Sequence, residues 1–405
     1  MKRSIHSLVS PNSLTLIKKS CIIEDMKELI YLDHSATTPL DRAVLEKMLP
    51  YMREVYGNAD SPHTAGRKAM NAVDTARDCV ADLICANANE VYFTSGGTES
   101  DNFAVLGGAR AKRSEGKTRV VISAIEHHAV LFAGETLAKE GFEVVYLPVG
   151  ADGRVSVDTL EEYIDDNTAL VALMAVNNET GVFQPIERAC ALAHEHGALF
   201  FTDCVQYAPY CEIDVRALGA DMLSFSAHKF YGPKGAGVLY IKNGVRMEKL
   251  VGGGEQERGM RGGTLNVAGI VGLAEAYRLA RAEMKENNAR LADLSAYFMR
   301  GVQKVERITR NGDSINALPS VLNLQIEGVE NTAFLYNMDL AGVCLSAGSA
   351  CASASVKPSH VLTAMGLTES QAKNSVRVSL GKNNTVSELD SALSLMSEII
   401  SRLRK

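Results

Sequence analysis

No apolar run in this 405-residue chain approaches the length that a bilayer crossing demands; the longest, such as Ala169 to Val176, fall far short. Long basic runs are missing too. With 42 Lys and Arg against 48 Asp and Glu, mixed throughout, the net charge is −6, and neither a nucleic-acid nor a membrane partner is expected. The eight cysteines include no CxxC pair, which argues against a zinc site, and their scatter does not read as a disulfide framework. A reducing, cytoplasmic setting is expected. No internal repeat is evident.

What is present fits a globular enzyme: 46% of residues are hydrophobic, and the length favours two domains or a large domain with a smaller one. Residues 1–25 stand apart, with Lys2, Arg3, Lys18 and Lys19 and no acid before Glu24. They resemble an organellar presequence, or else the working chain begins at Met26. The absence of a clear apolar face and of a small-residue cleavage site favours the second reading. Either way the segment is expected to be disordered and outside the fold.

From Val91 onward, β-rich runs alternate with helical stretches: VYFT (91–94), RVVIS (119–123), FEVVYLPV (142–149), ALVALMAV (169–176), ALFFT (198–202), DMLSFS (221–226) and GVLYI (237–241). Such alternation predicts an α/β fold with a seven-stranded, mostly parallel sheet, and the near-continuous apolar runs predict strands buried on both faces. After Gly262 the texture changes to long helical segments, notably 272–304, then VLNLQI (321–326) and an amphipathic terminus. These predict a smaller α+β domain. The expected division is 38–285 for the large domain and 26–37 plus 286–405 for the small one, with a hinge in the helix near 280–291.

Ligands of open α/β sheets sit beyond the carboxyl ends of the strands. After VYFT comes SGGTESDN (95–102), a glycine turn into a helix whose N–H groups suit a phosphate, with the Thr98 hydroxyl as a further donor; Thr98 with Asp101 equally reads as a plain capping box. Other strand ends carry His127 and His128, Asn177 and Asn178, and Asp203 with Gln206, each of which also suits a cap or turn. Asp203 stands out, since a carboxylate ending a buried strand needs a cation or strong donor. In SFSAHKFYGPKGAG (224–237), Lys229 also ends an apolar run, where desolvation turns an amine into a nucleophile toward aldehydes. Lys229 as Schiff-base residue, Asp203 beside a pyridine nitrogen, and Thr98, Ser226 and His228 around a phosphate together describe a pyridoxal phosphate site.

SFSAHKFYGPKG, TSGGTESDN, VNNETGVFQPI and SAGSACASASVKPSHVL resemble cysteine desulfurases of the nitrogen-fixation and iron-sulfur-cluster assembly type, which are class-V aminotransferase-like. The resemblance runs from about Tyr31 nearly to the C-terminus and takes in YLDHSATTPL, ERGMRGGT and SVRVSLGKNNT. It implies the type I fold of pyridoxal-phosphate transferases, with Lys229 as the catalytic lysine, Asp203 on the pyridine nitrogen and His127 stacked on the ring. Gly97, Thr98, Ser226 and His228 match phosphate-holding positions, and Asn178 and Gln206 match those at the ring substituents and, for Asn178, the substrate. Arg377 matches the arginine that takes the substrate carboxylate, a task suited to its bidentate fork. Thr264 matches a threonine that reaches the phosphate of a neighbouring subunit, which implies a homodimer.

Cys351 matches the family nucleophile. Its surroundings, SAGSACASAS, have little to pack, which suits a thiol that travels, whereas a cysteine of no particular role is more often buried. The implied reaction takes sulfur from L-cysteine, leaving alanine and a persulfide on Cys351 for an acceptor such as an iron-sulfur scaffold or a tRNA-thiolating enzyme. No resident metal is expected, apart from a transient iron-sulfur cluster ligand at Cys351. Selenocysteine lyase and a related aminotransferase are the alternatives, and a non-catalytic binding protein is disfavoured by the intact set of residues. Cys79, Cys85, Cys190 and Cys344 are given no role, and neither is Cys204, the awkward case because it follows Asp203 directly. Two departures stand out: Glu255 where the family commonly has glycine, and Gly97 in place of the more usual alanine.

Overall fold

The computed structural model describes residues 29–249, 251–348 and 358–404. In chain order its strands are β1 (Ile30–Tyr31), β2 (Val91–Thr94), β3 (Arg119–Ser123), β4 (Glu143–Leu147), β5 (Thr168–Ala172), β6 (Leu199–Asp203), β7 (Met222–Ser226), β8 (Gly237–Ile241), β9 (Ile308–Arg310), β10 (Val321–Ile326), β11 (Val343–Cys344) and β12 (Ser375–Ser379). The helices that matter most are α1 (Thr64–Leu83), α2 (Gly97–Asn102), α3 (His128–Lys139), α4 (Val267–Val302) and α5 (Val386–Leu403).

The seven expected strands form one sheet in the order β2-β8-β7-β6-β5-β3-β4. Only β8 runs against its neighbours. Because the sheet is covered on both faces, adjacent residues of a strand feed opposite cores: Phe200 enters one cluster with Val121, Val171 and Leu223, while Leu199 and Phe201 enter another with Val120, Ile122 and Leu170. Such burial explains why these strands read as continuous apolar runs.

A separate core forms around the three-stranded sheet β12-β10-β9. It gathers Leu322 and Leu324, Val376 and Val378, and Leu389, Met396 and Ile400 of α5. The short N-terminal strand β1 joins it by pairing in parallel with β11, bringing Leu32 into the same cluster. Helix α4 serves both bodies: Leu273 and Tyr277 pack in the first core, Leu291 and Phe298 in the second. Its 36 residues extend about 54 Å at the usual helical rise, enough to run past both.

The segment after Val251 is fixed by a buried ion pair that the sequence did not announce. Arg77 of α1 meets Glu257 through Nη2–Oε1 at 2.6 Å and Nη1–Oε2 at 2.8 Å, and Oε2 also accepts from the Phe93 N–H at 2.9 Å. Both residues are buried, and Glu257 holds a left-handed backbone at φ 46° to reach this position. Removing one partner strands the other charge away from water. Arg77→Met is therefore expected to destabilise the protein by roughly 3–5 kcal/mol, read as a lower midpoint in urea unfolding. No helix among the described residues is long and apolar enough to cross a membrane.

Candidate active site

The strand ends converge on a cleft of about 750 Å³. From β2 and α2 it receives Gly97 and Thr98, and from the end of β3, His127. Asn178 follows β5, Asp203 and Gln206 end β6, and Ser226, His228 and Lys229 end β7. Arg377 enters from β12, across from the large sheet. Ten of the residues expected from sequence thus line one space. Thr264 is not among them; it is exposed on the loop before α4. Cys351 and residues 1–25 lie outside the described residues.

The glycine turn differs from the capping-box alternative. Helix α2 begins at Gly97 with Gly96 as its N-cap, at φ 152° and without a side-chain capping bond. Thr98 is therefore already inside the first turn, and Asp101 points inward, where Ser224 Oγ donates to it at 2.6 Å. The uncapped N–H groups remain available to an anion, and helical backbone continues through Arg113, so the dipole of a longer helix stands behind them. Gly97 also has a packing reason, since a Cβ there would stand 2.9 Å from Val205 Cγ2.

Lys229 reaches toward the N-terminal segment, its Nζ donating to the carbonyls of Ser35 at 2.5 Å and Ala36 at 3.0 Å. The same segment is locked to the lysine's turn: Thr38 N–H and Oγ1 both donate to the His228 carbonyl at 2.9 Å, and the Tyr231 N–H donates to Thr38 Oγ1 at 2.7 Å. His228 Nδ1 lies 3.1 Å from Thr37 Oγ1. The DHSATT motif therefore shapes one wall of the site, a role not assigned to it from sequence.

Asp203 is buried, and desolvation raises its pKa to about 6, while the Val205 N–H and the Lys229 ammonium pull it back down. Two further buried acids surround it. Asp101 is pushed well up by burial and then by the Asp203 charge, and Glu126 likewise by burial, with Asp203 adding to it. Glu126 Oε1 accepts from the Met174 N–H at 2.6 Å, and its Oε2 is buried without a partner. Neither acid was singled out from sequence as a site residue, although Glu126 directly precedes His127 at a strand end. Burial lowers the His127 pKa to about 4, helped by the positive field of Lys229 and the nearby His128 and His360. Its Nδ1 accepts from the Ala129 N–H at 3.2 Å, which assigns the ring proton to Nε2.

Arg377 is 1% exposed. Its Nη2 donates to Asp33 Oδ1 at 2.7 Å and its Nη1 to the Asn178 carbonyl at 2.9 Å, whereas Nε is buried with no partner. Ser35 Oγ, also in the cleft lining, is likewise buried and unpartnered. Cys204 does not line the cleft. It points into the hydrophobic core, where burial raises its thiol pKa strongly, so its place beside Asp203 in sequence does not put it at the site. His194 lies in the last turn of the helix Ile186–Glu195, and His196 is its C-cap. No cluster of three or more His, Cys, Asp or Glu among the described residues is placed to hold a metal ion.

This combination of a lysine, a buried aspartate and an uncapped helix start at parallel strand ends fits a transferase of the aminotransferase kind. Residues 30–392 match the family model described as aminotransferase class-V. A cysteine desulfurase IscS of Clostridium botulinum (strain Hall) is 44% identical over 383 residues, covering 94% of this chain and 96% of that protein. One from Methanosarcina thermophila is 45% identical over 375 residues, covering 93% of each. Among solved structures, a NifS-like protein superposes with a TM-score of 0.87 at 35% identity, over 92% of this chain and all of the other. A structure titled "SspA in complex with cysteine" gives 0.77 at 37% identity, over 88% of this chain and 100% of that one. The chain belongs to the class-V aminotransferase family and, within it, to the cysteine desulfurases of the IscS and NifS type.

Proposed function

We propose that the chain holds pyridoxal phosphate in this cleft and uses it to move the sulfur of L-cysteine onto Cys351, releasing L-alanine. The observation that carries the reading is the meeting of Lys229, Asp203 and Arg377 in one cleft from three distant parts of the chain. The donor set suits the cofactor. Lys229 offers an amine to its aldehyde, Asp203 a carboxylate to its ring nitrogen, and the α2 N–H groups with Thr98, Ser226 and His228 a cradle for its phosphate. Asn178 and Gln206 would hold the ring substituents, and the neutral His127 imidazole would contact the ring. When bound, the cofactor supplies an electron sink for the carbon that carries the amino group.

The chain's own residues do the rest. Arg377 receives the substrate carboxylate with the Nε left unpartnered by its bonds to Asp33 and Asn178. Lys229 carries the proton at the substrate Cα. The Cys351 thiolate attacks the substrate sulfur; an S–S bond forms as the C–S bond breaks, the electron pair stays on carbon, and a proton completes alanine. The persulfide then passes to an acceptor protein, such as an iron-sulfur scaffold or a tRNA-thiolating enzyme, in a cytoplasmic setting. A neighbour solved with cysteine supports that substrate class.

The same reading takes 38–285 as the cofactor domain and 26–37 with 286–405 as the domain bearing Cys351, which the two separate cores support. It also takes the working form as a homodimer in which the exposed Thr264 serves the partner's phosphate site. Support comes from its exposure and from its absence among the residues lining this chain's own cleft.

Cys351→Ser tests the reading. Protein-bound persulfide, followed by mass spectrometry after one turnover, is expected to vanish, and alanine formation to fall with it. Undiminished sulfide release from cysteine would instead point to a lyase that needs no protein thiol, of the selenocysteine lyase kind.

A further inference from the structure

Glu179 follows Asn178 on the connection leaving β5, and it is 1% exposed. Its carboxylate touches two stretches of chain that flank Cys351 in sequence. On one side is Gly348, so close that a Cβ there would stand 2.8 Å from Oε2 and 3.2 Å from Oε1. On the other is Ser359, whose Oγ donates to Oε2 at 2.5 Å and also accepts from the Leu362 N–H at 3.3 Å, capping the helix His360–Ala364.

The Gly348 side leads back to the substrate arginine. Ser346 Oγ donates to the Gly348 carbonyl at 2.9 Å. Ser346 also exchanges backbone bonds with Arg377, N–H to carbonyl at 3.3 Å one way and 2.6 Å the other. Arg377 Nη1 then donates to the carbonyl of Asn178, the neighbour of Glu179. The contacts close a ring through 179, 348, 346, 377 and 178.

We propose that Glu179 is a positioning residue for sulfur transfer: its carboxylate clamps the chain on both sides of Cys351 against the Asn178 and Arg377 wall of the cleft. This rests on the reading that Cys351 takes the sulfur. Cys351 lies three residues beyond Gly348, and three residues of chain reach at most about 11 Å. The point at which Gly348 is held therefore sets the volume within which the thiol can act. Holding both ends also removes much of the entropy that would otherwise oppose bringing thiol and substrate sulfur together.

The test compares Glu179→Ala, Glu179→Gln, which keeps an acceptor for Ser359, and Ser359→Ala, which leaves the carboxylate, all as cofactor-loaded proteins given L-cysteine. Single-turnover persulfide formation on Cys351 is expected to slow roughly 10- to 100-fold in Glu179→Ala, the scale on which small misplacements act. It should slow less in Ser359→Ala and stay close to the unaltered rate in Glu179→Gln. The absorbance change on cysteine binding and the KM for cysteine should hold steady in all three. Amide hydrogen exchange at 346–348 and 359–363 should quicken in Glu179→Ala, whatever the reaction does.

A wild-type rate of persulfide formation in Glu179→Ala would overturn the proposal, as would an equal loss of the cysteine-induced absorbance change. If the unaltered protein forms no persulfide on Cys351, the functional reading falls by itself. Exchange then still decides the clamp, and unchanged exchange in Glu179→Ala overturns it.

Discussion

Replacing Lys229 by alanine is expected to abolish the absorbance band of protein-bound cofactor that depends on the lysine amine, and to cut alanine formation by about 10⁴-fold, the upper range of what one positioned proton-transfer group supplies. The effect should be this large because the amine has two tasks that no neighbour can assume. The side chains closest in function, His127 and His228, both have pKa values lowered to about 4 by burial and, next, by the Lys229 charge, so neither arrives as a cation or a matched base. Cofactor is still expected to bind, held by the α2 N–H groups and by Ser226. Spectra of the variant with and without added cofactor, alongside turnover, check both halves. Retained activity at more than a trace level would show that another group moves the Cα proton.

Asp203→Asn should cost nearly as much. The carboxylate is buried, and desolvation raises its pKa to about 6, so it protonates more readily than an ordinary aspartate. A cation at the ring nitrogen offsets that burial and keeps Asp203 ionised; an amide cannot. Breaking a buried charge pair by removing one member costs roughly 3–5 kcal/mol, which is about 10²- to nearly 10⁴-fold in rate if the pair forms fully in the transition state. The same shift fixes the sign of a pH effect. Below about pH 6 the cofactor-free protein carries Asp203 protonated, so cofactor binding should weaken as pH falls through that range, and in Asp203→Asn this dependence should disappear. Titrating cofactor into the apoprotein from pH 7.5 down to pH 5, by tryptophan-free means such as cofactor absorbance, measures it; this chain has no tryptophan.

The two variants probe what sequence made legible. Six of the seven strands of the main sheet were readable because they are buried on both faces and therefore apolar at nearly every position, while the edge strand β4, with Glu143 and Tyr146 exposed, was readable from its β-branched run. The residues at their carboxyl ends followed from the position rule alone, with the resemblance adding roles. What was not legible shares one cause: the partner lies far away in sequence. Asp101 reads as part of a capping box until Ser224, 123 positions on, is seen to donate to it. Asp33 looks like one more polar residue until Arg377 arrives. Glu179, in the conspicuous NNETG, gains meaning only beside Gly348 and Ser359. Cys204 shows the converse, since adjacency to Asp203 in sequence puts its side chain in the hydrophobic core and not in the cleft.

The distance in sequence between Asp33 and Arg377 has a consequence during synthesis. The two are 344 positions apart, and β1 likewise waits for β11. A chain emerging from the ribosome at about 5–20 residues per second can form the large sheet, with Thr38 already bonded to His228 and Tyr231, well before Asp33 and β1 find their partners. The carbonyls of Ser35 and Ala36, which hold Lys229, lie between that early anchor and Asp33, and the Ser35 N–H itself bonds Ser379 of β12. Until the last few dozen residues have been translated, the nascent protein has a nearly complete scaffold but no finished catalytic wall. A truncated product should therefore accumulate as a folded but inert species rather than as a partly active one.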